Sequence, residues 1–173
     1  MSSSTRAVVE TIATIAVRRG LRIAVAESLT GGRVASALSQ GPDASDWFCG
    51  GVVAYAPHVK FEMLGVTPGP VVTARCAREM AVGVAGALRA DATVALTGVG
   101  GPEPDEGEPA GTVYLATSVH GQVETRRLAF SGDPDEVVEQ TTDAALAHLL
   151  RVVSAERPVS RRTPAAPARP QPH

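Results

Sequence analysis

Aromatic residues make up only 3% of this 173-residue sequence, and cysteine occurs just twice. So few aromatics exclude a base-stacking platform for single-stranded nucleic acid, and the core must be built from Val, Ala and Leu. Cys49 and Cys76 are too few for a disulfide framework and lack metal-ligand spacing. They read as small buried hydrophobes in a reducing compartment. No charge dominates either: the formal net charge is −2, which removes the electrostatic case for a nucleic-acid partner. No apolar run reaches the roughly 18 residues of a membrane span, and the start at Met1 lacks the apolar segment of a secretory signal. The expectation is a cytoplasmic protein. With 44% apolar and 20% charged residues, its composition is that of an ordinary globular domain, long enough to bury a core.

What is present is a regular alternation of helical and strand patterns. Val8, Ile12, Ile15 and Ala16 recur at helical spacing and stop at Arg18-Arg19-Gly20. Leu21 to Ala26 reads as a strand buried on both faces. A helix from Gly31 to Gln40 presents Val34, Ala35 and Leu38. After a loop at Gly41-Pro42-Asp43, a second strand is expected over Gly51 to Ala56. Pro57 to Leu64 reads as a short helix with proline in its first turn. Thr73 is an N-cap for a helix to about Arg89, with Ala77, Met80, Ala81, Val84 and Leu88 as its stripe. A third strand spans Ala92 to Thr97. Gly111–Val119 and Gln122–Phe130 read as a hairpin turning at His120-Gly121, and a last helix runs from Asp133 to about Ser154. From Glu156 the proline- and arginine-rich composition describes a disordered tail. The fold class is therefore α/β: a three-layer α/β/α sandwich with a mixed, mostly parallel sheet, one domain over residues 1–155 and a tail over 156–173.

Three stretches carry more polar groups than folding requires. In "AESLTGG", residues 26–32, a strand hands over to a helix, where ligands of open α/β sheets gather. The first N–H groups of such a helix lack internal partners, and glycine lets an anion approach them. Neither the phosphate-loop pattern nor the G-x-S-x-G elbow matches, so Ser28 and Thr30 read either as helix caps or as a nucleophile and its neighbour. In "VVAYAPHVKFEMLGV", residues 52–66, Lys60 is either a solvated lysine or a base whose pKa burial has lowered. Tyr55 is either a packed ring or a group that relays a proton or orients a substrate. In "ALTGVGGPEPDEGEPAGTVYLA", residues 95–116, Thr97 and Gly98 begin a natural wall for a small ligand. Its acids Glu103, Asp105, Glu106 and Glu108 read as a solvated face, with a divalent ion as the other option. His58, His120, His148 and His173 show no zinc pattern.

Taken in order and spacing, these stretches resemble one family, the carboxy-terminal domain of CinA, the nicotinamide-nucleotide amidohydrolases. The resemblance rests on Ala26 to Gly32, on Tyr55 and Lys60 with Met63 to Val66, on Thr97 to Pro102, on Gly111 to Val113 and on Phe130 to Asp133. It covers residues 5 to 153. It implies hydrolysis of the carboxamide of nicotinamide mononucleotide to nicotinic acid mononucleotide and ammonia, in pyridine-nucleotide salvage, without metal or cofactor. Carried onto this sequence, it makes Ser28 the nucleophile and Lys60 the base, with Thr30 the competing nucleophile. The N–H groups of Gly31 and Gly32, or those near Thr97 and Gly98, would hold the oxyanion or the phosphate. Where the family commonly has two arginines this chain has Pro134 and Val138, which leaves Arg33, Arg126 and Arg127 as candidates to meet the phosphate. The expected partner is a small-molecule nucleotide, with no nucleic acid and no membrane. Self-association into a homo-oligomer is left open, and the absence of the larger family protein's amino-terminal domain suggests a stand-alone form.

Overall fold

The computed structural model describes residues 2–155; the expected tail from Glu156 lies outside the described residues. The elements run α1 (Ser3–Arg19), β1 (Ile23–Glu27), α2 (Arg33–Ser39), α3 (Ala44–Trp47), β2 (Phe48–Val53), α4 (Pro57–Leu64), α5 (Ala74–Leu88), β3 (Ala92–Gly98), β4 (Thr112–Val119), β5 (Gln122–Ala129) and α6 (Pro134–Ala155). One five-stranded sheet has the order β2-β1-β3-β4-β5. β1 pairs in parallel with both β2 and β3, and the pairings of β4 with β3 and with β5 are antiparallel. The sheet is thus parallel in one half and antiparallel in the other, with only β4 reversed.

Alternation of side chains along the central strands sorts the two layers. Ile23, Val25, Val94, Leu96 and Leu115 point to one face, where they pack with α1, α2, α6 and Trp47. Ala24, Ala26, Ala95 and Ala116 point to the other, where Leu64 of α4 and Cys76, Ala77, Met80 and Val84 of α5 cover them. Small side chains on that face let α5 lie close to the sheet, and both faces of β1 are buried, as a central parallel strand requires.

Local chemistry accounts for the boundaries. Ser2 caps α1 by accepting from the Thr5 N–H, and Gly20 ends it in the left-handed conformation. The Leu21 N–H then closes on the Ala16 carbonyl, a Schellman-type ending. Leu21 and Arg22 therefore belong to the cap, and β1 begins two residues later than the apolar run suggests. β2 lies three residues earlier than expected, because its pairing with β1 runs from Ile23 beside Phe48 to Glu27 beside Val53. A Cβ on Gly51 would sit 2.5 Å from Val25 Cγ2, so this close approach of the strands requires glycine. The short α3 is unforeseen; it is anchored by buried Trp47, whose indole N–H donates to the Pro42 carbonyl at 2.9 Å. α4, the Thr73 cap of α5 and the hairpin turn at His120-Gly121 stand where the sequence puts them. α6 opens with a reciprocal capping box between Asp133 and Glu136.

Candidate active site

β1 and β2 end side by side, and their connections then diverge. α2 packs on the face of the large aliphatics and α4 joins the alanine face, opening a crevice beyond the strand ends, as switch points in α/β sheets do. Ser28 is the first residue after β1 and Ala54 the first after β2. Ala26 is level with Ala95, so Ser28 and Thr97, two residues further along each strand, form a row at the sheet's end.

The turn after β1 is organised by a residue the sequence reading passed over. Glu27, 1% exposed, directs its carboxylate into the start of α2. Oε2 accepts from the Thr30 hydroxyl at 2.6 Å and from the N–H groups of Gly32 and Val34 at 3.0 and 3.1 Å; Oε1 accepts from the Ala35 N–H at 2.7 Å. A carboxylate at a helix N-terminus satisfies orphan donors and the dipole together. Two expectations are corrected by this. The Gly31 N–H donates to the Ser28 carbonyl at 3.0 Å and the Gly32 N–H to Glu27, so neither is directed to a ligand. The Thr30 hydroxyl is buried against Glu27 and does not line the cleft. Because Glu27 does the capping, the Ser28 hydroxyl is released from it.

Ser28 faces Lys60 instead. Lys60 lies in the first turns of α4 and is 1% exposed. Its Nζ donates to Ser28 Oγ at 3.1 Å, to the Ala54 carbonyl at 2.7 Å and to the Tyr55 carbonyl at 3.0 Å. Both carbonyls belong to the segment leaving β2, so the point at which the chain quits the sheet supplies the acceptors. Burial pushes the Lys60 ammonium below its ordinary range, while Cys76 and Glu106 pull the other way. Cys76, in turn, is pushed up to about 11 by burial, a neutral thiol beside the amine.

A cleft of about 320 Å³ opens over this pair, lined among others by Ser28, Tyr55, Lys60, Thr97, Gly98 and Gly101, a size suited to a small ligand. Tyr55 stands at its rim, 69% exposed; its ring faces solvent while its carbonyl holds Lys60. The Thr97 hydroxyl donates to the Val71 carbonyl at 2.9 Å, bracing the opposite wall. Gly98 is required by packing, since a Cβ there would lie 2.4 Å from the Thr112 carbonyl oxygen. Glu106 braces the same wall by accepting from the Val71 and Val72 N–H groups, both at 2.7 Å. Glu108 accepts from Arg127 at 2.8 Å and from the Tyr114 hydroxyl at 3.0 Å. The acidic stretch is thus partly folded inward, and among the described residues no group of three His, Cys, Asp or Glu is assembled to hold a metal. The arginines considered for a phosphate lie elsewhere. Arg33 pairs with Asp135 and Arg127 with Glu108, and Arg126 lines a groove on the α6 side with His148.

The model of the CinA C-terminal domain family matches residues 5–153. The chain belongs to that family. This CinA domain is 38% identical over 139 residues to protein YdeJ of Escherichia coli, covering 77% of the chain and 81% of YdeJ. It is also 38% identical over 143 residues to a CinA-like protein of Frankia casuarinae, covering 80% of the chain but 33% of that protein. A relative from Moorella thermoacetica is likewise matched over only 36% of its length, so the chain spans about a third of such relatives. The crystal structure of competence damage-inducible protein A from Klebsiella pneumoniae superposes with a TM-score of 0.85 at 34% identity, covering 88% of this chain and 99% of that one. No helix among the described residues is long and apolar enough to cross a membrane.

Proposed function

We propose that the domain hydrolyses a carboxamide, that of nicotinamide mononucleotide, by a serine nucleophile and a lysine base. The observation that carries this reading is the set of three contacts at Lys60 Nζ. A neutral amine has two hydrogens and one lone pair. With the hydrogens held by the Ala54 and Tyr55 carbonyls, the lone pair points at Ser28 Oγ, ready to take its proton. The two carbonyls do for the amine what an orienting carboxylate does for a catalytic histidine.

In the first half-reaction Ser28 Oγ bonds to the amide carbon as its proton passes to Lys60. The C–N bond then breaks as Lys60 returns that proton to the departing nitrogen, which leaves as ammonia. Water, deprotonated by the same amine, hydrolyses the acyl-serine, and the acid leaves with Ser28 restored. Backbone N–H groups would receive the oxyanion. With those of Gly31 and Gly32 engaged, the loop after Gly98 is the better donor, since no described protein acceptor takes the N–H of Gly100 or Gly101. Family membership and the burial that lowers the Lys60 pKa support the same reading.

The test is to incubate purified protein with nicotinamide mononucleotide and quantify ammonia and nicotinic acid mononucleotide. Equimolar release of both is expected. Saturable binding without release would instead assign the cleft to a ligand-binding module.

A further inference from the structure

The cleft's charge bears on what this amidase would hold, given the carboxamide reading above. Lys60 is the one basic side chain among the described lining residues, and its three Nζ directions are taken by Ser28, Ala54 and Tyr55. Across from it, Glu103 and Asp105 line the cleft, and Glu106 sits behind Val71 and Val72, close enough to act on the Lys60 ammonium. Arg33 and Arg127 are ion-paired outside it, and the N-terminus of α2 is closed by Glu27. An open cleft with this lining has a negative potential, which concentrates cations and disfavours a phosphate. Tyr55 adds an exposed aromatic face at the same rim, the partner a flat cation prefers.

We infer that the cleft recognises its substrate by the positive charge of a pyridinium ring, with Glu103, Asp105 and the Tyr55 ring as specificity residues. The class taken is cationic aromatic carboxamides, and a 5′-phosphate adds nothing to recognition. A nucleotide would enter ring first, leaving its phosphate toward water. The dephosphorylated nucleoside, nicotinamide riboside, should then be used at least as well as the mononucleotide.

Three measurements on the full chain test this. Ammonia release is compared for nicotinamide riboside and nicotinamide mononucleotide, expecting a kcat/KM several-fold higher for the riboside at low salt and a ratio that shrinks as salt rises. The double variant Glu103→Gln/Asp105→Asn should raise KM for the riboside several-fold and leave kcat in place. A mononucleotide preferred over the riboside, or a ratio unmoved by the double variant, overturns the proposal. Calorimetry with 1-methylnicotinamide, a cationic pyridinium carboxamide, against neutral nicotinamide reads charge selection without turnover. Tighter binding of the cation supports the proposal, and equal or weaker binding overturns it. If the cation is preferred but no ammonia is released from either substrate, it is the amidase reading that fails.

Discussion

Two buried bases sit on opposite sides of the sheet, and burial lowers the pKa of both. Lys60 lies under the alanine face; His148, on α6, lies under the face of large aliphatics, 7% exposed. Burial, Arg151 and Arg126 push the His148 imidazole down to about 4. Its Nε2 lies 3.4 Å from Thr117 Oγ1, and the Arg151 Nε–H faces its Nδ1 at 3.4 Å. A depressed pKa is therefore common to both, but only Lys60 has its hydrogens held by carbonyls and its remaining direction on a hydroxyl at the floor of a cleft. What singles out a base is that geometry, and the perturbed pKa is only its accompaniment.

The comparison is tested most severely by removing each base. On the proposed mechanism Ser28→Ala and Lys60→Met should each lower turnover on the order of 10³-fold or more, and the double variant should be little worse than either, because the two would act as one unit. His148→Gln should leave kcat/KM within about twofold. Additive losses at Ser28 and Lys60, or a large loss at His148, would break the contrast.

Glu27 sharpens it next, as the residue that frees Ser28 from capping. Glu27→Gln keeps one acceptor oxygen but turns an amide N–H₂ toward groups that are themselves donors. With charge-assisted bonds lost in a buried turn, a stability loss of at least about 2 kcal/mol is expected, read from urea unfolding. Unchanged stability would mean that the turn holds Ser28 by other means.

How far this site was legible in the sequence depends on which groups build it. Ser28 and Lys60 stood out as candidates at a strand end and on a helix with a proline start, but their roles as nucleophile and base came only with the resemblance to the CinA family. Ala54 and Tyr55 act through their carbonyls, which carry no side-chain mark, so their part in orienting Lys60 could not be read. Glu27 was legible in principle, as an acid just before a helix, but two glycines and two hydroxyls beside it offered a competing explanation. Glu106 looked like one acid among four on a solvated loop; only the fold brings it to Val71 and Val72. The same division holds for the architecture. Periodicity placed α4, α5 and the hairpin well, whereas the ends of β1 and β2 are set by a helix cap and by inter-strand register, which are tertiary facts.

A smaller effect separates the two bases by pH. On the proposed mechanism only the neutral amine of Lys60 can take the Ser28 proton, so activity should rise with pH as the ammonium is lost. Cys76 and Glu106 are the groups that favour the ammonium against burial. Removing the charge of Glu106 therefore lowers the Lys60 pKa further. Glu106→Gln, which keeps an oxygen for the Val71 and Val72 N–H groups, should move the rising limb of the kcat/KM profile to lower pH. A shift to higher pH, or none, would show that Glu106 acts on the wall alone.

The smallest expected effect concerns His148 and appears in stability, with turnover untouched. Its folded pKa of about 4 lies below the ordinary 6.5, so between those values the unfolded chain binds a proton that the folded one refuses. Stability must then fall as pH falls through that window, and the slope ends below about 4, where the folded state protonates too. His148→Gln has no such proton to refuse. Comparing urea unfolding at pH 7 and pH 5, the unsubstituted protein should lose more stability than the variant, by on the order of 1 kcal/mol. Equal losses would mean that His148 is protonated in the fold, with Glu124, which Arg151 contacts beside it, supplying the balancing charge. Lys60 would then be the one buried base of the two whose pKa burial lowers.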